Sequence, residues 1–199
     1  NAIFITPGTV HAAEGGILVA EIQESSDLTF RLYDWGRENN PATARKMHLE
    51  EAIDLINFGQ YDPSLYRPAA SRDETLVNNL LVQCPQFTVN RLNLKDPLRI
   101  SPEQFGSYIV YICTDGSAAI NVPKAPVADD SKAAAALGTD AMDIYAFRKG
   151  ETILIPADMP DFYLVPTSPE TVLLEATDGL REEVDEYIDP DVPAELPEA

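Results

Sequence analysis

The sequence predicts an all-β protein in which short strands build a sandwich or barrel, with one short helical linker between them. Short apolar segments recur at roughly ten-residue spacing. The 16 prolines and 10 glycines provide frequent turns between these segments. Only one segment has helical periodicity. At 199 residues and 45% hydrophobic composition, the chain is long and apolar enough to bury a core without disulfides or metal.

Apolar, β-branched segments dominate the first 35 residues. Strands are predicted there at residues 3–12, 17–23 and 28–35. A turn at Pro7-Gly8 interrupts the first of them, and Gly15-Gly16 makes a tight reversal before the second. The third segment alternates apolar and polar residues and places Arg31 on its polar face. In a barrel that face can line the lumen.

Residues 48–57 (HLEEAIDLIN) are the segment with helical periodicity. Their predicted apolar stripe consists of Leu49, Ala52, Ile53 and Ile56. Glu50 and Glu51 in the first turn favour a helix start, and Gly59 is a stop signal. The polar, proline-rich residues 59–84 are predicted to be a linker with a bridging strand.

Strand patterns return in residues 85–180. They cover residues 86–94, 106–113, 117–122, 143–148, 152–156, 161–165 and 171–176. Asp115-Gly116 is predicted to be a hairpin turn, and Lys149-Gly150 joins another pair of strands. Residues 124–141 are small and polar, so we expect a flexible excursion there.

The net charge of −19 argues against nucleic acid or an anionic membrane as a partner. Any site for a phosphorylated ligand would therefore depend on locally placed arginines. Residues 181–199 carry eight acidic residues and one basic residue, hence −7 of this charge. They are predicted to form a flexible, solvated acidic tail, and a docking role is the alternative.

Cys84 and Cys113 have neither metal-ligand spacing nor a disulfide framework, so they are predicted to be reduced, buried thiols of a cytoplasmic protein. The apolar run at residues 108–113 is too short to cross a bilayer, and no signal-peptide pattern is present. The chain begins Asn1-Ala2 rather than with Met. From this we expect a piece of a longer protein.

An internal repeat relates residues 4–11 (FITPGTVH) to residues 154–161 (LIPADMPD). Each copy leads into a strand that ends in glutamate, Glu21 or Glu175. The first copy has His11 where the second has Asp161. Because imidazole suits zinc or iron better than an isolated carboxylate does, only the first barrel is predicted to bind a transition metal.

Each candidate residue also has a structural alternative. His11 alone could be an ordinary surface or core histidine, and His48 reads as an exposed residue at the helix start. Glu21 could be a lumen carboxylate or a strand residue paired with a cation. Arg31 could be the ion-pair partner of Asp27 or Asp34. With two histidines, the chain cannot assemble a multi-histidine site by itself.

Residues 7–37 (PGTVHAAEGGILVAEIQESSDLTFRLYDWGR) resemble the type I phosphomannose isomerases, the zinc-dependent mannose-6-phosphate isomerases of the short bacterial class. Residues 48–53 (HLEEAI) resemble the next element of that family. KGETILIPADMPDFYL resembles the C-terminal cupin of the same proteins. The resemblance is dense over residues 4–58 and looser over residues 85–178.

This resemblance implies a pair of cupin-like double-stranded β-helix barrels, or jelly rolls. Residues 1–58 would be the last strands of the catalytic barrel plus a short helix, and residues 85–180 the second, metal-free barrel. His11 matches the last zinc ligand, Arg31 matches the catalytic arginine, and Glu21 is a weaker candidate for substrate binding. The family's upstream QxHP-type motif and its following glutamate are absent from this sequence, so the chain alone is expected to be inactive without the missing N-terminal part.

The implied reaction interconverts mannose 6-phosphate and fructose 6-phosphate through an enediolate. A guanidinium that is always charged and can pair with two oxygens at once is suited to stabilising that anion. The sequence does not identify a general base. A non-catalytic cupin-type sugar-binding or regulatory module remains the alternative. A different cupin enzyme, such as an epimerase or a dioxygenase, is a third possibility. A dioxygenase is disfavoured, because it needs a site of two histidines and one carboxylate and this segment offers only His11.

Overall fold

The structure is a computed structural model that describes residues 2–26, 28–59, 78–124 and 141–179, together with the backbone of residues 187–188. The chain divides into two compact units, residues 1–65 and residues 66–199. No helix among the described residues has the length and apolar character needed to span a membrane.

The first unit has little regular structure. Its elements are a 3-10 turn at Arg37–Asn39 and the helix α1 at Leu49–Ile53. No strand occurs in the described part of residues 2–59, so the strands predicted at 3–12, 17–23 and 28–35 are not formed in this structure. The physical reason is that a strand exists only when its backbone pairs with a neighbouring strand, and these segments have no such neighbour among the residues that the structure describes.

Many apolar side chains of the first unit face solvent. Leu18 is 90% exposed and Phe58 is 80% exposed, whereas Ala52 and Asp34 are the residues of this unit that are buried among those described. The helix is also shorter than the predicted 48–57, and of its expected apolar stripe only Ala52 is buried. This unit therefore retains an apolar surface that its own described residues do not cover.

One contact of the first unit depends on glycine. The Gly8 carbonyl accepts a hydrogen bond from the Asn57 backbone N–H at 2.9 Å. Gly8 has φ +80°, and a Cβ there would lie 2.7 Å from the Leu55 carbonyl oxygen. The predicted Pro7-Gly8 turn thus packs against the segment after α1, at a position that only glycine fits without strain.

The second unit contains ten strands in its described residues. They are β1 (Asn78–Gln83), β2 (Phe87–Leu94), β3 (Leu98–Ile100), β4 (Ile109–Asp115), β5 (Ser117–Pro123), β6 (Met142–Arg148), β7 (Thr152–Ile155), β8 (Phe162–Pro166), β9 (Thr171–Asp178) and β10 (Tyr187–Ile188). A helix, α2 (Pro102–Phe105), lies between β3 and β4. The strands form two five-stranded antiparallel sheets, ordered β1-β2-β9-β4-β7 and β10-β3-β8-β5-β6. The predicted all-β class is confirmed.

The hydrophobic core of this unit draws side chains from both sheets. Alternate residues of β4, namely Ile109, Tyr111 and Cys113, are buried, as the two-residue period of a strand requires. Ile120 from β5 and Phe162 from β8 join the same cluster from the second sheet. Each sheet therefore has one face covered by the other, which is how a jelly roll buries its core.

The turn at Asp115-Gly116 is not the predicted hairpin. It joins β4 to β5, which lie in different sheets, and each pairs with other strands. Gly116 has φ +70°, and a Cβ there would lie 1.8 Å from the Glu170 carbonyl oxygen. The glycine signal was correct about a tight change of direction, but it could not show that the chain crosses between sheets.

The turn at Lys149-Gly150 also joins strands of different sheets, β6 and β7. It lies beside the turn at Asp115-Gly116, because the Lys149 N–H donates to the Gly116 carbonyl at 3.0 Å. The Lys149 ammonium pairs with the Asp115 carboxylate at 3.0 Å and lowers the pKa of that carboxyl. Two crossings of the chain are thus fastened together at one end of the barrel.

Both cysteines are free and buried, in agreement with the prediction of buried thiols. Burial raises the pKa of the Cys113 thiol. The short elements β3, α2 and β10 were not predicted. As a result, the strand expected at 106–113 begins only at Ile109.

Candidate functional site

His11 and Glu21, two residues singled out by sequence, both lie exposed in the first unit. The Nδ1 atom of His11 is 2.9 Å from the Thr9 carbonyl oxygen. This local hydrogen bond fixes the ring relative to the turn at Pro7-Gly8 and leaves Nε2 free of described partners. The histidine is therefore accessible to a ligand from outside the described residues.

Arg31 is half-buried and is held at both its backbone and its side chain. Its N–H donates to Nδ1 of His48 at 3.0 Å, and its carbonyl accepts the His48 N–H at 2.9 Å. Its guanidinium donates through Nη1 to the Lys46 carbonyl at 3.1 Å. The structure thus places Arg31 against the segment leading into α1 and orients its guanidinium.

His48 differs from its prediction as an exposed residue at the helix start. It is half-buried, and its ring lies edge-on to Phe30 with centroids 6.0 Å apart. Because its Nδ1 accepts the Arg31 N–H, that nitrogen carries no proton in this arrangement. The link between residues 31 and 48 could not be inferred from a local helix-start pattern.

The structure does not join His11, Glu21 and Arg31 into one site. Across the described ranges no hydrogen bond or ion pair connects them. No group of three or more His, Cys, Asp or Glu residues among those described is placed to hold a metal ion. Zinc sites use at least three protein ligands, so the described residues do not fit zinc by themselves.

Asp34 is the buried charged residue among the described residues of the first unit, and its partners differ from those expected. It accepts Nη2 of Arg37 at 2.6 Å and Nε of Arg45 at 2.9 Å, and Nη2 of Arg45 also contacts it. The sequence offered it as a partner of Arg31, but Arg31 bonds elsewhere. The other expected partner, Asp27, lies outside the described residues. Hydrogen bonds from Arg45, then those from Arg37, lower the pKa of Asp34 to about 2 against the opposing effect of burial.

Asp161 stands in the second unit where the repeat has His11. Its carboxylate pairs with the Arg99 guanidinium at 2.9 Å and accepts the Ser101 hydroxyl at 2.9 Å. These bonds tie the start of β8 to β3. In this structure the Asp161 carboxylate is therefore an ion-pair and hydrogen-bond partner between these two elements.

A polar row inside the second unit is a feature that the sequence did not assign. Glu175 on β9 is fully buried, and its two oxygens accept Nδ2 of Asn90 at 3.2 Å and the Tyr111 hydroxyl at 2.9 Å. Asn90 and Tyr111 are its register partners on the two neighbouring strands. The sequence signal for this row is that Glu175 occupies an inward-facing position of β9. Its partners come from strands that are distant in sequence, so the sequence could not predict them.

Two antiparallel sheets joined by repeated crossings define a cupin-like jelly roll. The crystal structure of mannose 6-phosphate isomerase from Bacillus subtilis shares this fold, with a TM-score of 0.54 and 19% identity, over 76% of this chain and 40% of that one. No family model matches the chain.

Two relatives that are named as mannose-6-phosphate isomerases match most of this chain. Mannose-6-phosphate isomerase of Streptococcus mutans is 28% identical over 153 residues, covering 77% of this chain and 42% of the relative. Mannose-6-phosphate isomerase ManA of Bacillus subtilis is 27% identical over 161 residues, covering 81% and 44%. The chain is thus a homologue of the mannose-6-phosphate isomerases, and it spans less than half the length of these relatives.

Proposed function

We propose that the chain is the C-terminal portion of a zinc-dependent mannose-6-phosphate isomerase, which interconverts mannose 6-phosphate and fructose 6-phosphate. The observation that carries the proposal is the match to relatives of that name across about four-fifths of this chain. Because the match covers under half of each relative, the activity is proposed for the longer polypeptide, and the chain alone is expected to be inactive.

In this proposal residues 1–58, which form no strand in this structure, would form the last strands of the catalytic barrel plus a short helix when the rest of that barrel is present. Residues 59–84 are a linker, residues 85–180 the second, metal-free barrel, and residues 181–199 an acidic tail. The exposed apolar side chains of the first unit support this division, since Leu18 and Phe58 would be covered by the remaining strands of the barrel. The self-contained core of the second unit supports it as well.

His11 would supply one ligand to the zinc, and the remaining ligands would come from outside the described residues. Arg31 would carry the catalytic role. Isomerisation moves a proton between C1 and C2 of the sugar and leaves negative charge on the two oxygens of the enediolate. A guanidinium fixed by the Lys46 carbonyl and by the backbone link to His48 is oriented in advance for such an anion. Glu21 would contact the substrate.

The test uses the polypeptide that includes the residues preceding this chain, assayed with mannose 6-phosphate in the presence of zinc. Arg31→Ala is compared with Arg148→Ala, whose side chain in the second unit is 80% exposed. A fixed donor to a developing oxyanion is worth about 3 kcal/mol, so Arg31→Ala should lower kcat about 100- to 1,000-fold while Arg148→Ala leaves it unchanged. Undiminished turnover in Arg31→Ala would remove Arg31 from the mechanism.

A non-catalytic cupin-type sugar-binding or regulatory module is the second candidate. It is favoured by the second unit, where Asp161 stands in place of the repeat's histidine and is paired with Arg99 at 2.9 Å. The same assay separates the two functions. A zinc-loaded polypeptide that binds the sugar phosphate without converting it would support the binding module and contradict the isomerase.

A further inference from the structure

The Asp34–Arg37–Arg45 cluster has a geometry that the proposed roles do not use. One fully buried carboxylate holds two guanidinium groups, with Arg37 Nη2 at 2.6 Å from Oδ1 and Arg45 Nε at 2.9 Å from Oδ2. The side chains of Arg37 and Arg45 remain 48% and 46% exposed. Two cations are therefore fixed side by side at the surface by a common anion beneath them.

The donors of the two arginines are only partly used. A guanidinium has five N–H donors. Arg37 donates to the carbonyl and the carboxylate of Asp34, and Arg45 donates twice to the same carboxylate. Within the described part of the chain, three donors of each arginine have no assigned acceptor. These donors are available to a ligand that accepts several hydrogen bonds at once.

The cluster itself is positively charged, although the chain as a whole carries −19. Asp34 neutralises only one of its two arginines, so the cluster keeps one positive charge. Lys46, the next cation along the chain, is paired with Glu51 at 3.6 Å and adds no net charge. An anion would therefore be attracted by the two arginines themselves.

The backbone beside the cluster is strained. Trp35 follows Asp34 with φ +56°, a left-handed conformation that is unfavourable for a large side chain. Its ring is half exposed and tilts against Tyr33 with centroids 5.3 Å apart. The turn therefore keeps an unfavourable geometry that brings residues 34 and 37 together. Trp35 is also the one tryptophan of the chain, so its fluorescence reports on this cluster.

We propose that Arg37 and Arg45, held by Asp34, form a binding site for a phosphate dianion. Planar guanidinium groups match the spacing of phosphate oxygens and bind them through paired hydrogen bonds. The dianion could be free phosphate or the phosphoryl group of a sugar phosphate, and the second source rests on the proposed function. The carboxylate beneath the arginines orients them, so little side-chain entropy is lost on binding.

The test follows Trp35 fluorescence of the 199-residue chain during titration with inorganic phosphate, mannose 6-phosphate or mannose at constant ionic strength set with chloride. Both phosphate-bearing probes should give saturable changes, and mannose should give none. Tighter binding of mannose 6-phosphate than of phosphate identifies a sugar phosphate as the ligand, and equal binding identifies free phosphate. A response to mannose equal to that of mannose 6-phosphate, or the absence of saturation with either phosphate probe, would overturn the proposal.

Variants test the assignment to these two arginines. Arg45→Gln and Arg37→Gln should each weaken phosphate binding at least tenfold, measured in parallel by the ³¹P line width so that the result does not depend on Trp35. Arg37→Lys keeps the charge and the pairing with Asp34 but loses the planar fork, and should give an intermediate loss. Arg148→Gln is the matched surface control and should bind as the wild type does. Unchanged binding in Arg45→Gln and Arg37→Lys would show that the cluster is only a structural ion pair. Because no turnover is measured, the site stands or falls independently of isomerase activity.

Discussion

The polar row inside the second unit provides a sharp test of the fold. Tyr111→Phe removes the hydroxyl that donates to Glu175 at 2.9 Å and leaves the ring, which is fully buried, in place. Loss of a buried hydrogen bond to a carboxyl group costs about 1–3 kcal/mol, since the group cannot turn to water instead. That range corresponds to roughly a 5- to 150-fold shift of the unfolding equilibrium. The substitution leaves no sizeable cavity, because it removes only one oxygen atom.

The measurement is urea unfolding followed by far-ultraviolet circular dichroism, which reports the strands of the second unit. With a slope of about 2 kcal/mol per molar urea, the midpoint should fall by roughly 0.5–1.5 M. Tyr145→Phe on β6 is the matched control, because that tyrosine is half exposed and its loss of a hydroxyl should change the midpoint little. Equal midpoints for Tyr111→Phe and the wild type would refute the buried placement of Glu175.

Three further predictions concern other parts of the chain. Gly116→Ala should destabilise the second unit by about 1–3 kcal/mol in the same urea assay, because a Cβ would lie 1.8 Å from the Glu170 carbonyl oxygen and φ is +70°. A stability equal to that of the wild type would contradict the crossing of the chain at this turn. The pKa of Asp34 is lowered from 3.8 to about 2, so its contribution to stability is complete above pH 4 and is lost as the pH falls through 2. Acid titration followed by Trp35 fluorescence should therefore show a midpoint near pH 2, and a midpoint near pH 4 would contradict the buried pairing. Cys113 should react with iodoacetamide far more slowly in the folded chain than in urea, because burial raises the pKa of its thiol; equal rates would place it at the surface.

Local patterns in the sequence were sufficient for most strands of the second unit. The apolar segments at 106–113 and 171–176 predict the existence of β4 and β9, although β4 begins three residues later than predicted. The sequence predicts the position of the turn at Asp115-Gly116 but wrongly predicts a hairpin there, since pairing partners in a jelly roll come from distant strands. The elements β3 and α2 are too short to leave a periodic signal.

The first unit shows that strand propensity in the sequence is not sufficient to predict a strand. Residues 17–23 have a strongly β-forming composition, yet they form no strand, because composition does not supply a pairing partner. The same limit applies to side-chain partners. Arg45 reaches Asp34 across 11 residues and Tyr111 reaches Glu175 across 64, and neither separation follows from a local period. The roles of His11, Glu21 and Arg31 are implied by resemblance to a family, and their joint site stays a prediction.

We propose that His11 is one ligand of a zinc site whose other ligands lie outside the described residues. The most direct measurement is the zinc content of the polypeptide that includes the residues preceding this chain, compared with that of its His11→Ala variant. Both are dialysed against zinc-containing and then zinc-free buffer and analysed by inductively coupled plasma mass spectrometry, with the 199-residue chain alongside. One equivalent of zinc is expected in the unsubstituted polypeptide, and no stoichiometric zinc in His11→Ala or in the 199-residue chain. Equal zinc content in the longer polypeptide and its His11→Ala variant would contradict the assignment of His11.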